Sequence, residues 1–136
     1  MKYMKRRYSR EYALEVLYAN ELNPQTEKIN SEIYKKLSDS GKQFAESLIN
    51  SVRENNEEID LLIKKHIKKW SINQLNVVDK NILRIAIAEM LFLKDEKQEK
   101  NVIFNEAIEI AKIYGGKNSF KFINGILESV SGDING

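Results

Sequence analysis

The chain has 136 residues, 42% apolar and 31% charged, enough for one hydrophobic core or two small bundles sharing an interface, and without room for a second catalytic domain. It has no cysteine, which excludes disulfides, thiol nucleophiles and thiolate metal sites, and no apolar run long enough to span a membrane or follow the basic N-terminus as a secretory signal. The formal net charge is only +2, yet Lys2, Lys5, Arg6, Arg7 and Arg10 place +5 in the first ten residues and leave −3 for the rest.

The expectation is a cytoplasmic protein with a basic, flexible arm over residues 1–8. Three of its five arginines lie in the first ten residues, and the planar guanidinium fork suits phosphates and base edges, so the arm favours a nucleic-acid partner.

Between Lys42 and Tyr114 there is neither glycine nor proline. Strands joined by tight turns would need such residues repeatedly, so the fold class is all-α. Apolar positions recur at helical spacing in about seven segments, near 9–21, 27–38, 42–55, 57–69, 76–94, 101–114 and 118–131. Whether 42–69 is one helix or two stays open, as does the shape of the 94–101 loop, and residues 131–136 read as a frayed tail of a single domain.

In the first segment Tyr12, Ala13, Val16, Leu17 and Ala19 share a face, with Arg7, Arg10, Leu14 and Tyr18 opposite. Leucine and tyrosine beside two arginines suit a binding surface, or a face through which two copies associate, the alternative being that another helix covers that side. The 79–93 segment is apolar almost all round and leaves a narrow strip for Asn81, Arg84 and Ala88, as a central helix or partly a docking surface. The 101–114 segment turns Ile103, Phe104, Ala107, Ile108, Ile110, Ala111 and Tyr114 inward and Asn105, Glu109 and Lys112 outward. Gly115-Gly116 follows at the place of a left-handed C-cap, and Asn101 and Asn118 are expected N-caps.

Catalytic parts are few. His66, the only histidine, stands in the run Lys64-Lys65-His66-Ile67-Lys68-Lys69 with no acidic neighbour in sequence to orient it. No enzyme activity, metal or cofactor is expected. The connection Tyr114-Gly115-Gly116-Lys117-Asn118-Ser119 is more informative, because it opens a helix whose unpaired N–H groups attract phosphate. Lys112, Lys117 and Lys121 surround it, and Phe122 stands at the edge of the last helix's buried stripe of Ile123, Ile126, Leu127 and Val130. Single-stranded bases stack on such aromatics at about 1–3 kcal/mol per base. With Lys5, Arg6, Arg7 and Arg10, these residues make an arm and a platform for RNA.

Three blocks then resemble one family. The first is Arg6-Arg7-Tyr8-Ser9-Arg10-Glu11-Tyr12-Ala13-Leu14-Glu15-Val16-Leu17-Tyr18. The second runs from Trp70 and Ile72 to Val78-Asp79-Lys80-Asn81-Ile82-Leu83-Arg84-Ile85-Ala86 and Glu89. The third is Asn105-Glu106-Ala107, Glu109, Ala111-Lys112, Tyr114-Gly115, Ser119 and Lys121-Phe122-Ile123-Asn124-Gly125-Ile126-Leu127. In this order and spacing they resemble the NusB transcription antitermination proteins over nearly the whole chain.

The resemblance implies two small packed helical bundles working without cofactor. It also implies pairing with NusE, a ribosomal protein, to hold boxA-type single-stranded RNA of nascent ribosomal transcripts, and joining the RNA polymerase elongation complex through other Nus factors. By the same resemblance Arg6, Arg7, Arg10, Tyr114, Asn118, Ser119 and Phe122 meet RNA, and Tyr18 and Asp79 meet NusE; the exposed character of Leu14 and Arg84 adds them to that partner surface. The chain departs from the pattern in lacking a proline near Glu99-Lys100-Asn101, in carrying Asn118 where relatives often have an acid, and in carrying Tyr8 where a further arginine can stand. Two alternatives compete: the RNA-binding module of a ribosomal RNA cytosine methyltransferase, and a protein-interaction scaffold.

Overall fold

The computed structural model describes residues 2–26, 29–67, 71–93 and 98–135, with side chains from Arg6 onward and excluding that of Asn135. Lys5, Trp70 and the heart of the 94–101 loop therefore lie outside the described side chains. Among the described residues there are seven α-helices: α1 (Lys2–Leu22), α2 (Glu32–Lys36), α3 (Asp39–Glu54), α4 (Asn56–His66), α5 (Val77–Leu91), α6 (Lys100–Tyr114) and α7 (Ser119–Asn135). No strand occurs among the described residues.

Local chemistry sets most of the boundaries. α1 ends where Asn23 donates its N–H to the Ala19 carbonyl at 2.8 Å and Pro24 turns the chain. Ser31 and Ser38 open α2 and α3 by one device, each hydroxyl accepting the N–H three residues on, from Tyr34 and Gly41. The 42–69 region is two helices: Asn55, at φ −116° and ψ 20°, closes α3 through Ser51 and opens α4 through Ile59. A 3-10 turn over Ile72–Gln74 precedes α5, whose N-cap Asn76 accepts from Val78 N–H at 2.8 Å.

Several expectations shift. The expected flexible arm is the opening of α1, which is helical from Lys2, and the expected frayed tail is the end of α7, where Val130 and Ser131 are buried. Arg6 near one end and Val130 and Ser131 near the other are buried against the rest of the fold, and such packing supports a helix there. The expected helix over 27–38 shrinks to five residues. Glu99, not Asn101, is the N-cap of α6.

α1, α2 and α3 pack as one bundle, while α5, α6, α7 and α4 make the other, and α5 touches α1, α3, α4, α6 and α7. That position explains why α5 is buried nearly all round, from Lys80 to Glu89 with only Arg84 half-exposed. One apolar core runs through both bundles, with Leu48, Ile59, Ile63, Leu83, Ile87, Ile123 and Leu127 sealed from solvent. Where α1 crosses α3, Ser9 donates to the Gly41 carbonyl at 2.8 Å, and a Cβ on Gly41 would lie 3.3 Å from the Ser9 and Ser38 hydroxyls. Glycine there permits the close crossing.

Because α1 is held between the two bundles, it has two buried sides rather than one. Leu14, expected on an outward face, is 5% exposed and packs toward Ile82, Ile85 and Ala86 of α5. Tyr18 is exposed as expected, in line with Leu22.

Candidate nucleic-acid interface

The three arginines of the opening helix divide by direction. Arg6, Arg7 and Arg10 fan across one side of α1 within about 100°, and Arg10, between the other two, shares the Phe44 ring with Arg6 and Glu106 with Arg7. Arg6 is buried with its guanidinium 4.5 Å above the Phe44 ring of α3. Arg10 is buried between the two bundles, 5.5 Å from the Phe44 ring centre and clasping Glu89 through Nε and Nη2 at 2.8 and 2.6 Å, with Nη1 3.4 Å from Glu106. Arg7 grips Glu106 from the rim, at 3.1 and 2.7 Å, and keeps 31% of its side chain exposed. Hydrogen bonding to Glu106, set against some burial, raises the Arg7 guanidinium further above its ordinary range.

The expectation that all three arginines face RNA is thus corrected for Arg6 and Arg10. Their side chains join α1 to the rest of the molecule, and only Arg7 presents part of its charge outward. Arginine's stem and flat head pack well in such places, and a carboxylate from another helix neutralises it.

Glu11, one turn beyond Arg7, accepts a hydrogen bond from the Tyr114 hydroxyl at the end of α6. Burial, that hydrogen bond and the charges of Glu11 and Glu15 push the Tyr114 phenol well above its ordinary range, so it stays protonated and donating. The ring itself is 41% exposed. Arg7 to Glu106 and Glu11 to Tyr114 therefore stitch α1 along α6 and bring the first turns of the chain to the Gly115–Ser119 connection.

That connection has a different geometry from the expected left-handed cap. Gly115 has φ −88° and ψ −178°, extended backbone open to any residue. Space is what requires glycine: an added Cβ would meet the Ala111 carbonyl oxygen and the Ser119 Cβ, each at 2.6 Å. Ser119 is buried, and its hydroxyl accepts the Gly116 N–H at 2.8 Å, so its side chain holds the turn together. Lys117, Asn118, Lys121 and Lys112 are exposed around it, and Phe122 is half-buried at the rim.

Phe120 is a candidate site residue that the sequence pattern missed. Half-buried, it has the Lys112 and Lys121 ammonium groups 5.4 and 5.9 Å from its ring centre, an aromatic between two cations on the open side of α7. The alternation Phe120-Lys121-Phe122 was the available signal.

The expected protein-partner residues also separate. Tyr18 is exposed. Asp79 is half-buried in the first turn of α5, and its Oδ1 is sealed from solvent with no protein hydrogen bond. Arg84 is held by Asp60 through two 2.8 Å bonds and by Glu21 at 2.6 Å, with Lys80 also near Glu21. Like Leu14, it serves to join helices, here α1, α4 and α5. Partial burial pushes the Glu21 carboxyl up, but the Arg84 hydrogen bond and the Lys80 and Arg84 charges together carry it below its ordinary range.

His66 does have an acidic neighbour, from the far end of the chain: its Nε2 lies 3.3 Å from Asp133 Oδ2, which also receives Lys65 at 2.7 Å. Among the described residues no group of three or more His, Cys, Asp or Glu is placed to hold a metal ion, and no helix is long and apolar enough to cross a membrane.

The NusB family model matches residues 7–132. Relatives include the transcription antitermination protein NusB of Bacillus mycoides (strain KBAB4), 40% identical over 93% of this chain and 97% of that protein. Another is that of Thermodesulfovibrio yellowstonii, 42% identical over 94% and 92%. Among solved structures, T. maritima NusB superposes with a TM-score of 0.80 at 36% identity, covering 94% of this chain and 91% of the other. The antitermination factors NusB and NusE in complex with double-stranded RNA give 0.78 at 29% identity, covering 98% of both chains. With helices, motif blocks and relatives in agreement across almost all of its length, the chain belongs to the NusB family.

Proposed function

We propose that this protein is a transcription antitermination factor that works with NusE to hold boxA-type single-stranded RNA and help elongating RNA polymerase resist premature termination. It does so in the cytoplasm as a binding protein, without a catalytic step of its own. The observation that carries the reading is the continuous edge from Arg7 through Tyr114 to the lysine-rimmed turn before α7. Arg7, Lys112, Lys117 and Lys121 attract phosphate there, and Phe122, with Phe120 beside it, offers rings to unpaired bases. Lys5, Asn118 and Tyr114 complete the RNA side; Tyr18 and Asp79 serve the NusE side.

A single strand is favoured over a duplex because only unstacked bases expose faces to aromatic rings. NusE adds a second set of contacts to the same strand, so affinity for RNA rises when both proteins are present. Binding of a labelled boxA RNA, measured with and without NusE and against scrambled and duplex controls, tests this. A gain with NusE that is confined to the boxA strand supports the reading; equal affinity for the scrambled RNA, or no gain with NusE, refutes it.

A further inference from the structure

On the other side of α1 lies a cleft that the RNA edge does not use. Tyr12 sits about 140° round α1 from Arg7, and it forms, with Tyr34 of α2 and with Lys42, Glu46, Asn50 and Arg53 of α3, a cavity of ≈ 370 Å³. That is the size of a small-ligand site. The four α3 residues recur at helical spacing along one face, with Lys42 and Arg53 about 16 Å apart along the axis.

Among the described residues none of the charges in this cleft is held in an ion pair, although Lys42 and Glu46 are one turn apart. The Lys42 ammonium instead rests 4.7 Å from the Tyr34 ring centre, whose ring in turn lies 5.0 Å from that of Tyr12. Arg53 uses Nη2 alone, toward Asn20 Oδ1 at 2.7 Å and the Thr26 carbonyl at 3.2 Å. Its Nε and Nη1 have no protein acceptor among the described residues. The Tyr12 hydroxyl is spent on the Ile29 backbone, so this residue contributes its ring.

We infer that the cleft binds a guanine nucleotide bearing phosphate on both its 5′ and 3′ oxygens. Lys42 and Arg53 take one phosphate each as their flexible stems reach toward the middle. The base replaces the Lys42 ammonium against Tyr34. Glu46 accepts the two adjacent N–H donors of the guanine Watson–Crick edge, and Asn50 bonds the ribose. The same chemistry is offered by a free nucleoside bisphosphate and by one guanosine within an RNA strand.

Titration of the ¹⁵N-labelled full chain with guanosine 3′,5′-bisphosphate, its adenosine counterpart, unphosphorylated guanosine and a short guanosine-containing RNA tests the proposal. Saturable shifts at Tyr34 and along residues 42–53 are expected, stronger for guanosine bisphosphate than for the other two small compounds. Shifts with both the bisphosphate and the RNA identify a free nucleotide as a ligand; shifts with RNA alone identify a strand. Lys42→Ala weakens binding about tenfold, the loss of one charge-assisted hydrogen bond, Lys42→Arg retains it, and Glu46→Gln abolishes the preference for guanine. Melting curves show that each variant is folded. Absence of shifts with the bisphosphate and the RNA alike, equal binding of unphosphorylated guanosine, or binding indifferent to Lys42→Ala in a folded protein overturns it. Phe122→Asp, which strikes the boxA edge, leaves these shifts unchanged, so the two sites succeed or fail separately.

Discussion

Arg10 shows how much one side chain's meaning depends on partners remote in sequence. In a run of basic residues it reads as part of a phosphate-binding arm; in the fold it is 2% exposed and clasped by Glu89, with Glu106 beside it. Glu89 stands 79 positions away, and no local pattern announces that it will arrive. Removing one partner of a buried pair strands the other charge at a cost of about 3–5 kcal/mol. Arg10→Met is therefore expected to cost that much in chemical denaturation, and adding Glu89→Leu to recover most of it. A single substitution as harmless as an average surface change contradicts the buried-pair account. Gly115→Ala is expected to destabilise by about 1–3 kcal/mol through overpacking, since its methyl meets a backbone oxygen at 2.6 Å. An unchanged melting curve would show that the turn yields. Tyr114 is expected to ionise above the ordinary tyrosine value in an ultraviolet titration. Its phenol is raised in the folded state, so the associated stabilisation is complete below the ordinary value of 10.0 and fades as pH climbs beyond it. A Glu11→Gln variant whose titration is unaltered would remove Glu11 as a cause.

At the scale of elements, glycine and proline placement and apolar periodicity made the all-α class and the cores of α3 to α7 legible, and cap residues such as Ser31 and Ser38 fit the helix starts they serve. For α1 the preferred reading of the second face as a binding surface failed at Leu14 and Arg10, and the alternative, cover by another helix, holds there. A helix held between two bundles has two buried sides, which is why Leu14 and Arg10 are covered while Tyr18 is exposed. The edge near Tyr114 was legible because its residues are neighbours in sequence; the cleft across α2 and α3 was not, because Tyr12, Tyr34 and Arg53 come together only through packing. The junction of α1, α4 and α5 rests on Arg84 with Asp60 and Glu21. Glu21 is held below the ordinary carboxylate value of 4.5, so its contribution is full above that pH and is lost as pH falls further and the carboxyl protonates. Acid titration followed by circular dichroism should show wild type losing stability more steeply below that point than Glu21→Gln; parallel curves would deny Glu21 this part.

For the whole molecule, the central claim is that the start of α1 and the turn before α7 form one RNA surface, held together by contacts from α1 to α6. With Leu14 buried, the outward face of α1 that remains for NusE or for a second copy centres on Tyr18 and Leu22. Chemical-shift mapping of the labelled protein with a short boxA RNA reports the claim directly. Coincident shifts around Arg7 and around Tyr114 to Phe122, weakening together as salt rises, are the expected result. Shifts at only one of these two elements, or at neither, contradict it.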